Sequence, residues 1–345
     1  MALPSQPESG GSAPPSSPAQ RWSVLEVLRW TTTRFAQRNL STPRLDAEVL
    51  IAHALGLSRV QLYVQFERPL EAAELAAIRE LVRRRQAGES VAYLTGRKEF
   101  FGLELEVDAR VLVPRPDTET LVDEALARLA AAAEVGGEAA PGPRIADVGT
   151  GSGAVAIAIA KMLDKSAARM SMSAAKLATS SDQVAAAADA PAAASAPAKR
   201  PAPQVFASDL SPGALELAGR NAERHGAAIT FLQGDLDEPL RSQAPFDLIA
   251  ANLPYIPSAE IAGLSAEVRG EPHLALDGGT DGLELVRRLV AAAPALLRAG
   301  GAIVLEIGAG QAEATAAQLA AAGFIEVRRR RDLGGIERVV SGVKP

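Results

Sequence analysis

A chain of 345 residues with 48% hydrophobic content and no cysteine carries enough apolar material for two filled cores and excludes structural disulfides and thiolate metal sites. A formal net charge of −5 and only three histidines argue against a surface built mainly for nucleic acid and against a zinc site. The Pro-, Ser- and Gly-rich start, residues 1–20, has neither a charged amino end nor an apolar stretch; it reads as a disordered tail, neither signal peptide nor membrane span, on a cytoplasmic protein.

From residue 21 to 92 apolar side chains recur at helical spacing, as in Val24, Leu25, Val27, Leu28 and again in Leu45, Val49, Leu50, Ala52, Leu55, with Ala72 to Ala87 continuing the pattern. This predicts a small helical domain of four or five helices. Residues 93–117 change character: Leu103, Leu105 and Val107 alternate beside a Gly102 turn, which predicts a β-hairpin linker. The remainder, 118–345, alternates helix and strand. A helix is expected from Thr118 to Ala133, a strand at Arg144 to Val148, a helix at Val155 to Leu163, a strand at Gln204 to Ser208 and a helix at Pro212 to His225 capped by Ser211. Strands follow at Ile229 to Gln233, Phe246 to Ala251 and Ala302 to Ile307, with helices at Leu283 to Leu297 and Gln311 to Ala322. Such alternation predicts a mostly parallel α/β sheet of the Rossmann-like kind. The closing runs Phe324 to Arg331 and Ile336 to Val340, joined by Leu333-Gly334-Gly335, add a hairpin and with it one antiparallel strand. Residues 165–203 break the scheme. Ala, Ser, Pro and Lys dominate them, too few large apolar groups to offset the entropy of ordering, so a low-complexity insertion is expected. The basic runs Arg83 to Arg85 and Arg328 to Arg331 read as solvated element ends.

Two motifs carry chemistry. Asp147-Val148-Gly149-Thr150-Gly151-Ser152-Gly153 follows a strand and precedes a helix, the setting a nucleotide-binding glycine turn requires. The spacing is ambiguous, since Gly149, Gly151 and Ala154 also satisfy a dinucleotide fingerprint. Asp209 ends the next strand, and leaving out the insertion shortens its interval from Gly153 from 56 to 17 residues, close to the spacing of a ribose-binding acid. Asp235, after the third strand, is placed to accept from an adenine amino group or to cap a helix, and Asp147 to organise the glycine turn or simply to sit in it. No phosphate-binding loop with its lysine is present, which disfavours phosphoryl transfer.

The second motif is Asn252-Leu253-Pro254-Tyr255 at the end of an apolar strand. The Asn side-chain carbonyl and the Leu253 backbone carbonyl form an acceptor pair that fits the two hydrogens of a flat –NH2 group and leaves its nitrogen facing a methyl donor. Pro254 pushes Leu253 toward an extended backbone, and Tyr255 offers a ring face to a planar group. Alone, the four residues also fit an ordinary turn.

Together with Val113-Pro114-Arg115-Pro116-Asp117-Thr118-Glu119, Gly88 to Gly96, Glu99-Phe100-Phe101-Gly102 and Asp332 to Arg338, these motifs make the chain, from about residue 22 onward, resemble the HemK/PrmC family of peptide chain release factor N5-glutamine methyltransferases. The resemblance implies a Rossmann-like class I methyltransferase domain, a helical amino-terminal domain that helps dock the substrate, and S-adenosylmethionine as methyl donor, with no metal. It assigns Gly149, Thr150, Gly151, Ser152, Gly153, Asp209, Asp235, Leu236 and Asn252 to the donor, and Asn252, Leu253, Pro254 and Tyr255 to catalysis and to the glutamine of the Gly-Gly-Gln loop. Its implied partners are release factors, with no membrane, no direct nucleic acid and a monomeric state. Leu253 stands where the family usually has proline, and Leu236 where it often has an aromatic residue. Methylation of a ribosomal protein glutamine and of adenine N6 in nucleic acid are the competing enzymatic readings; a nucleotide-binding regulatory module and a dehydrogenase are the others.

Overall fold

The structure, a computed structural model, describes residues 22–136, 142–168 and 201–345. The expected tail, residues 1–20, and residues 169–200 of the expected insertion lie outside the described residues. The chain divides into two compact units, 1–87 and 88–345.

The first unit is helical: α1 (Val24–Ala36), α2 (Pro43–Ala54), α3 (Arg59–Val64) and α4 (Ala72–Gln86). Ser23 opens α1 with a capping box, its Oγ accepting from the Glu26 N–H while Glu26 accepts from the Ser23 N–H at 2.7 Å. The buried face of α1, Val24, Val27, Leu28, Thr31 and Phe35, keeps the three- and four-residue spacing of one helix stripe. Between α2 and α4 lies a buried ion pair: Arg85 donates through Nε to Asp46 at 2.8 Å, and both side chains are under 10% exposed. Thr42 donates to the other Asp46 oxygen at 2.7 Å. Asp46→Ala takes the carboxylate away from a buried guanidinium, a loss of about 3–5 kcal/mol. Hydrogen exchange on α2 and α4 is expected to speed up accordingly, with the sheet amides of the second unit unchanged.

The second unit starts with α5 (Val91–Thr95), capped by Ser90 Oγ and closed by Gly96 at φ +70°. Tyr93 is therefore helical, and the hairpin is shorter than the sequence pattern implied: β1 (Arg97–Phe100) pairs with β2 (Leu103–Glu106). Phe101 and Gly102 make the turn with φ of 52° and 72°, the two positive values that a tight hairpin with matching twist needs. Val107 and Val111, beyond β2, pack instead on Ala214 and Leu217.

A seven-stranded sheet forms the rest, built from β3 (Arg144–Val148), β4 (Gln204–Asp209), β5 (Ile229–Gln233), β6 (Phe246–Asn252), β7 (Leu297–Glu306), β8 (Ile325–Arg331) and β9 (Glu337–Val343), in the order β5-β4-β3-β6-β7-β9-β8. All neighbours run parallel except at β9, which is antiparallel to both β7 and β8. Helices α6 (Glu119–Gly136), α7 (154–168), α8 (Pro212–His225), α10 (Glu284–Leu296) and α11 (Ala312–Ala321) flank it, and a short α9 (Ala266–Arg269) lies in the β6–α10 connection. Two clusters of buried residues result. One holds Leu121, Ile145, Ile157 and Leu248, the other Ile249, Phe246, Leu289 and Ile303. Adjacent β6 residues fall in opposite clusters, as the two-residue period of a strand buried on both faces demands. The strand order reverses between β3, with β4 outside it, and β6; at such a switch point the carboxyl ends of neighbouring strands open a crevice.

Candidate active site

The crevice is a cavity of about 420 Å³. Its wall includes the β3–α7 turn, the ends of β4, β5 and β6, and Pro272, Leu274 and Ala275 from the long β6–α10 connection.

The glycine turn forms the floor. Gly149, Gly151 and Gly153 take φ of +73°, +56° and +82°, a region closed to most side chains. Each has its own reason for lacking Cβ. At Gly149 a Cβ would stand 3.2 Å from Leu253 Cδ2; at Gly153 it would meet Ile157 and Ala218 at 3.0 and 3.2 Å; at Gly151 it would meet nothing within 4 Å. Gly151 thus leaves backbone open on the cavity side, while Gly153 lets α7 and α8 approach and is not part of the cavity wall. Asp147 is buried and braces the turn, accepting from Thr150 Oγ1 at 2.7 Å and from the Ala156 N–H at 3.1 Å. Burial pushes its carboxyl up to about 6 in spite of those two bonds. Ser152 is held through its carbonyl by Asn221 Nδ2 at 2.9 Å, and the same Asn221 brackets the Glu106 backbone at the end of β2. Asn221, which no sequence motif marks, locks the hairpin to the turn.

Asp209 lies at the end of β4, its Oδ2 accepting from the Gly151 N–H and its Oδ1 from the Ser211 N–H, both at 2.9 Å. It ties the glycine turn to the start of α8 and lines the cavity beside it. Asp235 is also in the wall, and neither sequence alternative foresaw its main partner: Arg288 of α10 reaches it at 2.5 Å. Leu236, buried, holds φ at +46°, a conformation costing a non-glycine residue roughly 1–2 kcal/mol. Such strain persists where the surroundings over-determine it; here Leu236 sits against the cavity with its carbonyl accepting from Ser208 Oγ at 3.4 Å.

The Asn252 to Tyr255 segment begins on the last residue of β6. Asn252 lines the cavity and donates from Nδ2 to Thr118 Oγ1 at 3.2 Å, the amide orientation in which Oδ1 stays clear of that bond. Leu253 and Pro254 line the cavity too. The Leu253 side chain is buried and packs over Gly149, anchoring the segment through apolar contact where a second ring would have restricted φ. Tyr255 is half-buried and outside the cavity wall; burial raises its hydroxyl to about 12. Its carbonyl accepts from Gln311 Nε2 at 3.0 Å, and Gln311 Oε1 accepts from the Gly308 N–H at 2.8 Å. Thr118, Arg288 and Gln311 were thus missed as site residues. Thr118 alone carried a signal, lying inside the Val113 to Glu119 run. Among the described residues no group of three or more His, Cys, Asp or Glu could hold a metal, and no helix is long and apolar enough to cross a membrane.

Comparison with known proteins finds matches in both halves of the chain. Residues 26–96 match the family described as PrmC N-terminal domain, and residues 188–270 match the family described as Methyltransferase domain. A release factor glutamine methyltransferase of Geobacter sulfurreducens is 42% identical over 93% of this chain and 96% of its own length. One of Chlorobaculum tepidum is 39% identical over 93% and 97%. The solved protein-(glutamine-N5) methyltransferase (release factor-specific) of Alicyclobacillus acidocaldarius is 28% identical over 70% of this chain and all of that one, with a TM-score of 0.35. Identity at this level, extending along nearly the whole length of relatives that bear one name, means that the chain belongs to the release factor glutamine methyltransferase family.

Proposed function

We propose that the protein methylates the side-chain nitrogen of the glutamine in the Gly-Gly-Gln motif of peptide chain release factors, using S-adenosylmethionine. One observation carries the reading: Asn252, with its –NH2 committed to Thr118, presents an acceptor to the same cavity that the glycine turn floors. The residues present fit the donor. Gly151 has space on its cavity side, Asp209 keeps lone pairs for ribose hydroxyls beyond the two backbone bonds it accepts, and Leu236 with the Asp235–Arg288 pair borders the far end, suited to adenine. Gly149, Thr150 and Ser152 complete that wall, and Gly153 supports it from behind.

When bound, S-adenosylmethionine supplies an electrophilic methyl group. The protein's own task is to make a poor nucleophile react. An amide nitrogen shares its lone pair with its carbonyl, so the gain must come from placement and from stabilising the charge that grows on –NH2. Asn252 Oδ1 and the Leu253 carbonyl would accept its two hydrogens and orient its lone pair toward the donor side of the cavity, bound S-adenosylmethionine would supply the methyl group with its sulfur as the leaving atom, and the extra proton would pass to solvent. No metal enters this scheme. The helical unit α1–α4 is assigned to docking the release factor, and the whole acts as a cytoplasmic monomer on protein, not nucleic acid.

Methyl transfer from radiolabelled S-adenosylmethionine to purified release factor tests the proposal. Label is expected on the wild-type factor and at background level on one whose Gly-Gly-Gln glutamine is alanine. Equal labelling of the two, or transfer only to ribosomal protein or to DNA, would reject it.

A further inference from the structure

Beneath the cavity lies a carboxylic acid that the scheme above does not use. Glu306 is the last residue of β7, directly opposite Asn252 in the parallel β6–β7 register. It is 1% exposed, and its Oε2 finds no hydrogen-bond partner. Acids are rarely left in that state without a reason, because an orphaned buried oxygen costs about 1–3 kcal/mol. The groups facing it come from three elements: Asn252 and Tyr255 from the end of β6, Asp117 and Thr118 from the turn before α6, and Arg338 from β9. Arg338 is shared, donating to Asp332 at 3.1 Å and lying 3.7 Å from Asp117.

We infer that Glu306 is a positioning residue for the reaction, its carboxylate holding the Asn252 amide with –NH2 turned into the protein and Oδ1 turned to the substrate. The inference rests on the reading of Asn252 as the acceptor. An Asn amide has two nearly isosteric orientations, and only one is productive. Thr118 does not choose between them, because a hydroxyl accepts from Nδ2 or donates to Oδ1 with equal ease. An ionised carboxylate does choose, since it only accepts. Once Thr118 Oγ1 accepts from Asn252, its own proton needs an acceptor, and Glu306 is the acid beside it. A protonated Glu306 donates as well, and so tolerates the flipped amide that spends Oδ1 inside the protein.

Burial pushes this carboxyl up to about 7, against the opposing pull of Thr118, Arg338 and Asn252 and with the repulsion of Asp117. The raised value puts the protonated, amide-tolerant form below neutrality and the ionised, selective form above it. Turnover is therefore expected to rise with pH through about 7.

The test compares the full-length wild type with Glu306→Gln, which keeps the shape but donates and accepts like the neutral acid. The variant is expected to lose about tenfold in kcat at pH 8 and to lose the rise near pH 7, with KM for the release factor and the S-adenosylmethionine Kd within about twofold. A readout free of turnover accompanies it: the Asn252 side-chain amide resonances shift with a midpoint near 7 in wild type and stay still in Glu306→Gln. Glu306→Gln that keeps both the pH rise and the wild-type kcat, or amide resonances insensitive to pH in both proteins, overturns the inference. Asn252→Ala run alongside separates the two ideas. If it is inactive while Glu306→Gln matches wild type, only the positioning role falls; if it is active, the acceptor reading falls and takes this inference with it.

Discussion

Asn252→Ala is expected to lower turnover on the release factor about 100- to 1,000-fold, the cost of removing one preorganised group aimed at developing charge. Affinity for S-adenosylmethionine is expected to stay within about tenfold, or about 1.4 kcal/mol. The asymmetry follows from position. Asn252 ends β6 and touches the cavity with one side chain, whereas the floor and far wall come from other elements. Alanine also frees Thr118 Oγ1 from the bond it accepts at 3.2 Å, a neutral bond worth about 1 kcal/mol to stability, so the fold survives the change. Steady-state rates with a saturating release factor, paired with calorimetric titration of S-adenosylmethionine, measure the two effects separately. Turnover near wild type would remove Asn252 from the chemistry. Affinity and turnover falling together would instead make it a donor-binding residue.

The second large effect is expected at Asp209, in the opposite pattern. Asp209→Ala should weaken S-adenosylmethionine binding by about 100-fold or more, equivalent to about 2.7 kcal/mol. The carboxylate accepts from the N–H groups of Gly151 and Ser211, at 2.9 Å each, and hydrogen bonds to a charged group are worth about 1.5–3 kcal/mol apiece. Losing them releases the only part of the glycine turn with open space at its Cβ position, and removes the acceptor assigned to ribose. Asp209→Asn retains one carbonyl oxygen, so an intermediate loss is expected. Because Asp209 lies at a strand end and is partly exposed, circular dichroism should keep its native shape while the unfolding midpoint falls with the two lost bonds. A variant that binds S-adenosylmethionine as tightly as wild type would show that neither bond shapes the donor site.

The architecture was readable because its signals are local. Continuous apolar runs such as Phe246 to Ala251 mark strands buried on both faces, and Ser211-Pro212 marks a helix start; β6 and α8 lie there. The final hairpin around Gly334-Gly335 was legible for the same reason, and within the seven-stranded sheet β9 runs antiparallel to its neighbours β7 and β8. Where the reading missed, a local signal was overruled. Tyr93 belongs to a helix because Ser90 caps it, although its neighbours alternate. Leu297 to Gly301 join β7 ahead of Ala302, across a register irregularity opposite Phe246 to Leu248 of β6.

The candidate site divides along the same line. Glycines at positive φ, an acid at a strand end and Asn-Leu-Pro-Tyr are properties of short segments, so the sequence by itself determined the strand-turn-helix, its neighbouring acid and the acceptor tetrapeptide. The partners of those residues come from far along the chain: Thr118 to Asn252 spans 134 positions, Asp235 to Arg288 spans 53, and Glu306 meets Asn252 only through a parallel register. No periodicity or spacing encodes such a pairing, because it depends on which strand lies next to which and on how each twisted strand aims its ends. Tertiary structure alone decided what the Asn252 amide meets, why Leu253 is accommodated over Gly149 and that a buried acid with one unpartnered oxygen stands behind the acceptor, since burial and orientation exist only once the sheet has closed around them.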